Sequence, residues 1–226
     1  MKEKIKEFII KNLKWIILFI CLIGFLALAE DVFNKEIMDG DIIGYKMVST
    51  FLISDFATPV AKFITNFGGA IFLILTAIVL IILIKNKKIG LAILLNLTII
   101  TILNQLLKRI LQRPRPTEYR IIEETGYSFP SGHSMVSMAF YGYLIYLIYK
   151  YVKNKYIKWI SFALLSILIG TIGISRIYLG VHYTSDVLGG FLISVSYLII
   201  YVSAVNKFLI EKDGNNIYKQ ETENTD

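Results

Sequence analysis

The sequence contains few of the residues from which disulfides and metal sites are built. Among its 226 residues there are one cysteine and two histidines. Cys21 alone cannot form an intramolecular disulfide. No carboxylates, cysteines and histidines cluster at metal-ligand spacing, and the adjacent pair Glu123 and Glu124 is weak evidence for a metal. We therefore predict that the protein needs no cofactor and no Mg²⁺.

Charged residues are also scarce, since they make up 18% of the chain against 55% hydrophobic residues, with a mean hydropathy of +0.62. A soluble domain has about 45–50% apolar residues. The formal net charge is +7, which in a soluble protein would favour nucleic-acid binding. Because the lysines cluster between apolar runs, we predict a membrane protein in contact with a lipid bilayer and no nucleic-acid partner.

Six apolar runs follow one another along the chain, and no internal repeat or low-complexity segment is present. Runs of this length and composition are typical of transmembrane helices. We predict an all-α polytopic membrane protein with six transmembrane helices, formed by one domain over residues 1–206 and followed by a polar cytoplasmic tail over 207–226. The predicted spans are Trp15–Ala29, Asn66–Ile84, Ile89–Leu107, Met135–Tyr149, Lys158–Ile174 and Val187–Val205.

The first run and the connector that follows it each leave an alternative open. The run is short for a span and ends in Ala27-Leu28-Ala29, which resembles a signal-peptidase site; we favour an uncleaved anchor, because residues 8–13 can lengthen the helix. In the connector, Glu30–Thr65, apolar residues at helical spacing predict a helix over Tyr45–Thr58 that Pro59 ends. This helix is either interfacial, on the outer leaflet, or packed in a loop.

Loop charges predict the orientation. Lysines are concentrated in the N-terminal segment, between spans 2 and 3 and between spans 4 and 5, whereas the connector after span 1 is acidic. Cytoplasmic loops carry the excess of lysine and arginine. We therefore predict a multi-pass protein of the plasma membrane with both termini in the cytoplasm. The polar motifs described next then lie on the extracytoplasmic side.

The stretch Phe129-Pro130-Ser131-Gly132-His133-Ser134 stands immediately before the fourth run, so a tight polar turn leads into a membrane helix. Ser131 can cap that helix, and Gly132 lets a ligand approach the backbone. Free N–H groups at a helix N-terminus favour an anion. His133 then stands beside any anion bound there.

Two further stretches carry charges at regular spacing. Arginine offers a planar fork that matches phosphate oxygens, and a cluster of cations is mutually repulsive until an anion joins it. Lys108, Arg115 and Arg176 therefore predict a phosphate site, whereas we expect Arg109, Arg113 and Arg120 to contact lipid headgroups.

His182 and Asp186 are four residues apart, which places both on one face if the stretch is helical. A carboxylate on one ring nitrogen fixes the tautomer and makes the other nitrogen a better nucleophile. The only two histidines of the chain, His133 and His182, both fall inside these motifs.

Together these stretches resemble the signature of the type 2 phosphatidic acid phosphatase and vanadium haloperoxidase superfamily, in its bacterial membrane lipid phosphatase branch. The signature is Lys108 with Arg115-Pro116, then Pro130-Ser131-Gly132-His133, then Ser175-Arg176 with His182 and Asp186. The resemblance implies that His182 attacks phosphorus to form a phospho-histidine, that Asp186 orients it, and that His133 is the general acid. It also implies a set of phosphate-binding residues and a set of supporting residues: Lys108, Arg115, Ser131, Gly132 and Arg176 in the first, and Pro116, Pro130 and Ser175 in the second.

The resemblance implies a membrane lipid phosphate as the substrate. Undecaprenyl diphosphate is favoured, because the site is expected to face outward where that lipid is released; phosphatidylglycerol phosphate and phosphatidic acid are the alternatives. A vanadate-dependent haloperoxidase would use the same residues but is normally soluble. A transporter would need ionisable residues deep in the spans, and here they stand at the span ends.

Overall fold

The computed structural model describes residues 2–35, 38–118 and 120–210, which form eight α-helices and a short π-helical turn. The predicted tail, 207–226, lies outside the described residues from 211 onward. The helices are α1 (Lys2–Phe33), α2 (Asp39–Leu52), α3 (Ala57–Asn66), α4 (Ala70–Leu83), α5 (Lys87–Leu111), α6 (Gly132–Tyr151), α7 (Lys155–Tyr178) and α8 (Thr184–Val205), and the turn is Asn206–Ile210.

Local sequence explains where several helices begin and end. Asn86 caps α5 by accepting from the backbone N–H of residues 88 and 89, and Asn154 caps α7 in the same way. Gln112 follows α5 with φ 45°, a left-handed conformation that ends the helix. At the start of α6, the side chain of Ser131 accepts from the N–H of Ser134, so the predicted cap is confirmed.

Helix α6 is the centre of the bundle, where it packs against α5, α7 and α8, while α1 packs along α8. The core between these helices is apolar and includes Ile93, Phe140 and Ile172. On the outside, large apolar side chains stay exposed, for example Ile71 at 78% and Leu164 at 61%. An apolar outer surface of this kind is what a lipid bilayer requires, so the chain is an all-helical, multi-pass membrane protein.

Four helical segments are long and apolar enough to cross a membrane: Lys11–Phe33, Lys87–Leu111, Lys155–Tyr178 and Thr184–Leu209. A fifth is possible if α3 and α4, which are bent by 49° at residues 67–69, form one span. The predicted fourth span, now α6, is not among them. Its position inside the bundle gives the reason, since a helix surrounded by protein can carry polar residues that a lipid-facing helix cannot. Six spans therefore stay a prediction.

The predicted bounds of the connector helix were wrong. Helix α2 begins at Asp39 and ends at Leu52, and the break lies at residues 53–56. Pro59 does not end a helix but lies in the first turn of α3. Backbone N–H groups in a first turn have no acceptor within the helix, so proline is tolerated there. Helix α2 packs against α7 and α8; its interfacial position stays a prediction.

The bundle has two ends that differ in composition. At one, here called the motif end, α5 and α7 finish and α6 and α8 begin, next to the loop of residues 112–131. At the other, the far end, lie the short connections 84–86 and 152–154 and the end of α8. All three sequence motifs lie at the motif end.

Candidate active site

The three motifs meet in one cavity of about 350 Å³ at the motif end. The spaced cations Lys108, Arg115 and Arg176 and both histidines line it. Lys108 comes from the last turn of α5, Arg176 from the last turn of α7, and His133 from the first turn of α6. The helix ends therefore bring together the side chains that the spacing of the motifs predicts to act on one phosphate.

His182 and Asp186 form a buried pair. The Nδ1 atom of His182 is 3.2 Å from Oδ2 of Asp186, and both side chains are at most 2% exposed. The same Oδ2 accepts the backbone N–H of Tyr183 at 2.8 Å and a hydrogen bond from the hydroxyl of Ser128. These donors fix the carboxylate, which in turn fixes the ring.

The contacts of His182 determine its tautomer. The Nε2 atom lies 3.1 Å from Nη1 of Arg115. A guanidinium can only donate, so Nε2 accepts and the ring proton is on Nδ1, which donates to Asp186. Nε2 therefore carries the lone pair and points into the cationic part of the cavity. A carboxylate on Nδ1 with a lone pair on Nε2 is the arrangement of an activated histidine nucleophile.

Burial and the surrounding positive charge keep this ring neutral. The pKa of His182 is lowered to about 4: burial is the largest cause, the hydrogen bond and charge of Asp186 oppose it, and the charges of Arg176 and Arg115 add to it. A histidine with this pKa is unprotonated at neutral pH. His182 is therefore available as a base or nucleophile without first losing a proton.

The cavity cations are held mainly by neutral oxygens. The Nζ atom of Lys108 donates to the backbone carbonyls of Tyr127 and Ser128. Arg115 donates to the carbonyls of Thr125, Gly126 and Val181 at 3.0–3.2 Å. Carbonyls orient these groups without neutralising them, so the cavity keeps a net positive charge. It is suited to a multiply charged anion such as phosphate.

Arg176 is the most deeply buried of these cations, at 1% exposure. It donates to Oγ1 of Thr65 at 2.9 Å and to Oε1 of Glu124 at 2.5 Å. Within the described part of the chain its buried Nε atom has no hydrogen-bond partner. A buried donor without an acceptor is costly, so Arg176 has capacity for an additional anionic ligand.

Glu124 is a carboxylate inside the predicted phosphate site, although it was not assigned to that site from the sequence. It lines the cavity, bonds Arg176 and lies 4.0 Å from Nη2 of Arg115. Burial raises its pKa, but the hydrogen bond and charge of Arg176 outweigh burial and lower it. Glu124 is therefore an anion that balances part of the cationic cluster.

The prediction that Arg113 contacts lipid headgroups was wrong. Its side chain is 5% exposed and donates to Oδ1 of Asp186 at 2.7 Å, to Ser185 at 2.7 Å and to Oδ2 of Asp41 at 2.6 Å. The ring of Tyr183 lies 4.1 Å from its guanidinium carbon. Arg113 thus ties the carboxylate that orients His182 to α2.

The turn that begins α6 is closely packed against α5. A Cβ atom on Gly132 would lie 3.1 Å from Oδ1 of Asn104, so this close approach favours glycine. His133 and Gly132 line the cavity. Ser131 is fully buried, and its hydroxyl bonds Ser134 as part of the cap; its role as a phosphate ligand stays a prediction.

The three predicted supporting residues lie around this turn and the neighbouring loop. The carbonyl of Pro130 accepts from Asn104 at 3.2 Å, that of Pro116 accepts from Arg120, and Ser175 bonds the carbonyl of Ile172. These contacts are consistent with the three residues supporting the shape of the turn and the loop.

Sequence reasoning missed Ser128, Glu124 and Asp41 as parts of the site. Ser128 stands two residues before Pro130, so a wider motif window would have included it. Glu124 was visible only as one of two adjacent acids in the motif loop. Asp41 had no sequence signal, because it precedes the first motif by a long interval and is brought in by the packing of α2.

Comparison with known proteins agrees with this geometry. The sequence profile described as PAP2 superfamily matches residues 89–210, more than half of the chain. Phosphatidylglycerophosphatase B of Bacillus subtilis (strain 168) is 30% identical over 174 residues, which cover 74% of this chain and 84% of that protein. An undecaprenyl-diphosphatase of Sulfolobus acidocaldarius is 24% identical over 180 residues, covering 76% and 79%.

Two crystal structures resemble the fold. The transmembrane PAP2 type phosphatidylglycerolphosphate phosphatase from Bacillus subtilis has a TM-score of 0.76 at 27% identity, covering 84% of this chain and 96% of that one. LpxE of Aquifex aeolicus has a TM-score of 0.59 at 24% identity, covering 70% and 92%, which concerns the fold alone. The resemblance inferred from the three motifs is confirmed: the chain belongs to the PAP2 superfamily and is one of its membrane lipid phosphatases.

Proposed function

We propose that the protein removes a terminal phosphate from a membrane lipid through a phospho-histidine on His182, without a metal ion. The observation that carries this proposal is the buried contact between Asp186 and Nδ1 of His182, with Nε2 directed to Arg115. Phosphoryl transfer needs mainly positioning and electrostatic stabilisation. Fixed cations in the cavity supply the stabilisation that a metal gives elsewhere.

In the first step, Nε2 of His182 attacks phosphorus while the bond to the lipid oxygen breaks. Burial and the charge of Arg176 lower the pKa of His133. A bound phosphate dianion offsets the surrounding positive charge and raises that pKa, so that His133, which lines the same cavity, carries the proton that the leaving oxygen takes. Lys108, Arg115 and Arg176 hold the phosphate oxygens, with Ser131 and the Gly132 backbone as further ligands. Because Arg115 donates to Nε2 in this structure, the incoming phosphate must draw that guanidinium away before attack.

In the second step, water attacks the phospho-histidine and the phosphorus–nitrogen bond breaks. His133, now unprotonated, takes the proton of the water as a general base. Inorganic phosphate leaves and His182 returns to the neutral tautomer. Asp186 remains bonded to Nδ1 throughout and stabilises the charge that the ring acquires in the intermediate.

Two lipids are the leading substrate candidates. Undecaprenyl diphosphate fits a site that faces outward, as the lysine distribution predicts. Phosphatidylglycerol phosphate is supported by the Bacillus subtilis relative at 30% identity, which is named a phosphatidylglycerophosphatase. Phosphatidic acid is the third candidate. Each has a terminal phosphate for the cationic cavity and an apolar part that stays in the bilayer.

The proposed placement follows the predicted topology. Residues 1–206 form the catalytic unit of a plasma-membrane protein with cytoplasmic termini and an extracytoplasmic motif end. Residues 207–226 form a polar cytoplasmic tail. Helix α2 is proposed to lie at the outer interface, because Ile43, Met47 and Phe51 on it are more than half exposed while Asp41 is buried.

The test is phosphate release by the purified protein from each of the three lipids, with a chelator present. We expect fast turnover of one lipid and a loss of at least about 1,000-fold in His182→Ala, since the nucleophile is removed. Turnover that survives in His182→Ala contradicts the nucleophile assignment. Activity that disappears with chelator and returns with Mg²⁺ contradicts the metal-free proposal, and no release from any lipid favours a different phosphoester substrate or a non-catalytic role such as transport.

His133→Ala provides the matched control for the general acid. A lipid oxygen is a poor leaving group, so we expect a loss of about 100- to 10,000-fold on the lipid. The aryloxide of an aryl phosphate leaves without protonation, so the first step on this substrate needs no acid. Because the second step still lacks its base, phospho-histidine should accumulate and be detected in quenched samples. Formation of phospho-histidine that is slowed as much on the aryl phosphate as on the lipid would show that His133 is not the acid of the first step.

A further inference from the structure

The far end of the bundle contains a second cavity, of about 470 Å³, between α1, α6 and α8. It opens near the end of α8, whereas the active site lies at the beginning of that helix. A helix of this length separates the two by roughly 30 Å. The second cavity is therefore a site of its own, and the proposed catalytic function does not depend on it.

The lining of this cavity changes from apolar to polar along α8. Leu198, Ile199 and Val202 form its apolar part, and Ser203 and Asn206 follow one turn later. This order runs from the interior of the bundle toward the far end, in the same direction as acyl chain and headgroup in a bilayer leaflet. A ligand that is apolar at one end and polar at the other matches such a lining.

Two lysines from different elements stand at the polar part. Lys14 comes from α1 and Lys207 from the turn after α8. Both are exposed, and the contacts that the structure gives their ammonium groups are with the rings of Trp15 and Phe208, at 5.0 and 5.2 Å. No carboxylate is among the residues that line the cavity. The charge of these lining residues is therefore positive.

A neutral polar cluster shapes the rim of the cavity. The carboxamide of Asn206 accepts from Nζ of Lys150 at 2.8 Å and contacts the hydroxyl of Tyr146 at 2.6 and 3.0 Å. These bonds connect the end of α6 to the end of α8. They hold Lys150, a further exposed cation, against Asn206, which lines the cavity.

We propose that this cavity binds an anionic phospholipid of the leaflet opposite to the active site. The headgroup phosphate would lie between Lys14 and Lys207, and an acyl chain would lie along Leu198 and Val202. Lysine ammonium groups suit a phosphate as point charges, and each basic residue near a membrane surface favours an anionic lipid about fivefold. A free phosphate would use only the polar half of the cavity.

Trp15 offers a direct probe, because it is adjacent to Lys14 and 40% exposed. The full chain carrying Trp159→Phe, which leaves Trp15 as its one tryptophan, is reconstituted in zwitterionic bilayers. Quenching is then measured in two separate titrations, in which either a brominated anionic or a brominated zwitterionic phospholipid replaces unbrominated zwitterionic lipid. We expect the anionic lipid to quench at a lower mole fraction, and the double variant Lys14→Gln with Lys207→Gln to lose this preference by between about 5- and 30-fold.

The matched control is Lys153→Gln with Lys155→Gln, which removes the same charge at the same end but outside the cavity. It should keep the preference within about twofold. Equal loss in both double variants, or no preference in the parent, overturns the proposal. Loss of the anionic-lipid preference on addition of millimolar inorganic phosphate at constant ionic strength would show that the cavity binds free phosphate in preference to the lipid, which also overturns the proposal. Thermal unfolding checks that both variants are folded.

Discussion

The two ends of the bundle hold positive charge in opposite ways. At the motif end, Arg113 and Arg176 are at most 5% exposed and are bonded to carboxylates at 2.5–2.7 Å. At the far end, Lys14, Lys150 and Lys207 are exposed, and each lies over an aromatic ring. The first arrangement fixes each cation by a buried ion pair, and the second leaves each cation exposed.

This difference reflects the cost of burying charge. A buried ion loses its hydration and must regain the loss from partners, so removing one partner leaves an uncompensated charge. An exposed lysine keeps its water and contributes little to stability. Rigid, paired cations suit a site that must position a reacting phosphate, whereas exposed lysines suit contact with mobile headgroups. The predictions below test this contrast.

The largest effect is expected for Arg113→Ala. The substitution leaves Asp41 and Asp186 buried beside each other without their common partner, which should cost about 3–5 kcal/mol of unfolding free energy. It should also slow phosphate release by about 100-fold, because the ring of His182 loses its fixed position. Chemical unfolding in detergent micelles and initial rates measure the two effects.

The far-end counterpart is Lys85→Ala, which removes an exposed cation and should change stability by less than about 0.5 kcal/mol. Arg113→Lys separates charge from geometry, because a point charge cannot bridge two carboxylates as a planar fork does. Compared with Arg113→Ala, we expect Arg113→Lys to keep part of the lost stability and a smaller part of the lost activity. Equal effects of Arg113→Ala and Lys85→Ala would remove the contrast between the two ends.

An intermediate effect is expected from pH. The pKa of His182 is about 4 in the folded protein and about 6.5 in the unfolded chain. Between these values the unfolded state binds a proton that the folded state does not, so stability falls as pH falls. From pH 7.5 to pH 5 this amounts to about 2 kcal/mol.

The measurement is the unfolding free energy of the parent and of His182→Asn at several pH values. His182→Asn should lose the part of the pH dependence that comes from the ring, while Lys85→Ala should keep all of it. Glu124, whose pKa is also lowered, adds to the same direction in both proteins and cancels in the difference. If His182→Asn leaves the slope of unfolding free energy against pH unchanged, the ring of His182 has the same pKa in the folded and unfolded states.

The smallest effect is expected for Glu124→Gln. The carboxylate competes with phosphate for Arg176, so its neutral replacement should tighten inhibition by inorganic phosphate by about three- to tenfold. Glu123→Gln is the matched control, because Glu123 is 92% exposed and pairs only loosely with Arg120 at 3.8 Å. Weaker inhibition in Glu124→Gln would mean that Glu124 organises the cations and does not compete with the ligand.

Much of the helical framework could be predicted from apolar periodicity. The runs that predict spans 3, 5 and 6 differ from α5, α7 and α8 by a few residues at each end, because hydrophobic runs and asparagine caps are local signals. The connector could not be predicted in the same way. Pro59 can start or end a helix, and only the packing of α2 and α3 against α7 and α8 decides between them.

The sequence by itself determined the helical class and the family, and it predicts a phosphate site from the spacing of six residues: Lys108, Arg115, His133, Arg176, His182 and Asp186. These follow from local order, since each motif is a short stretch next to a helix end. Only the tertiary structure decided that Arg113 is buried between Asp41 and Asp186 and that Glu124 bonds Arg176. Such ion pairs join residues far apart in the chain, and their energy depends on distance and burial, which a sequence pattern does not contain.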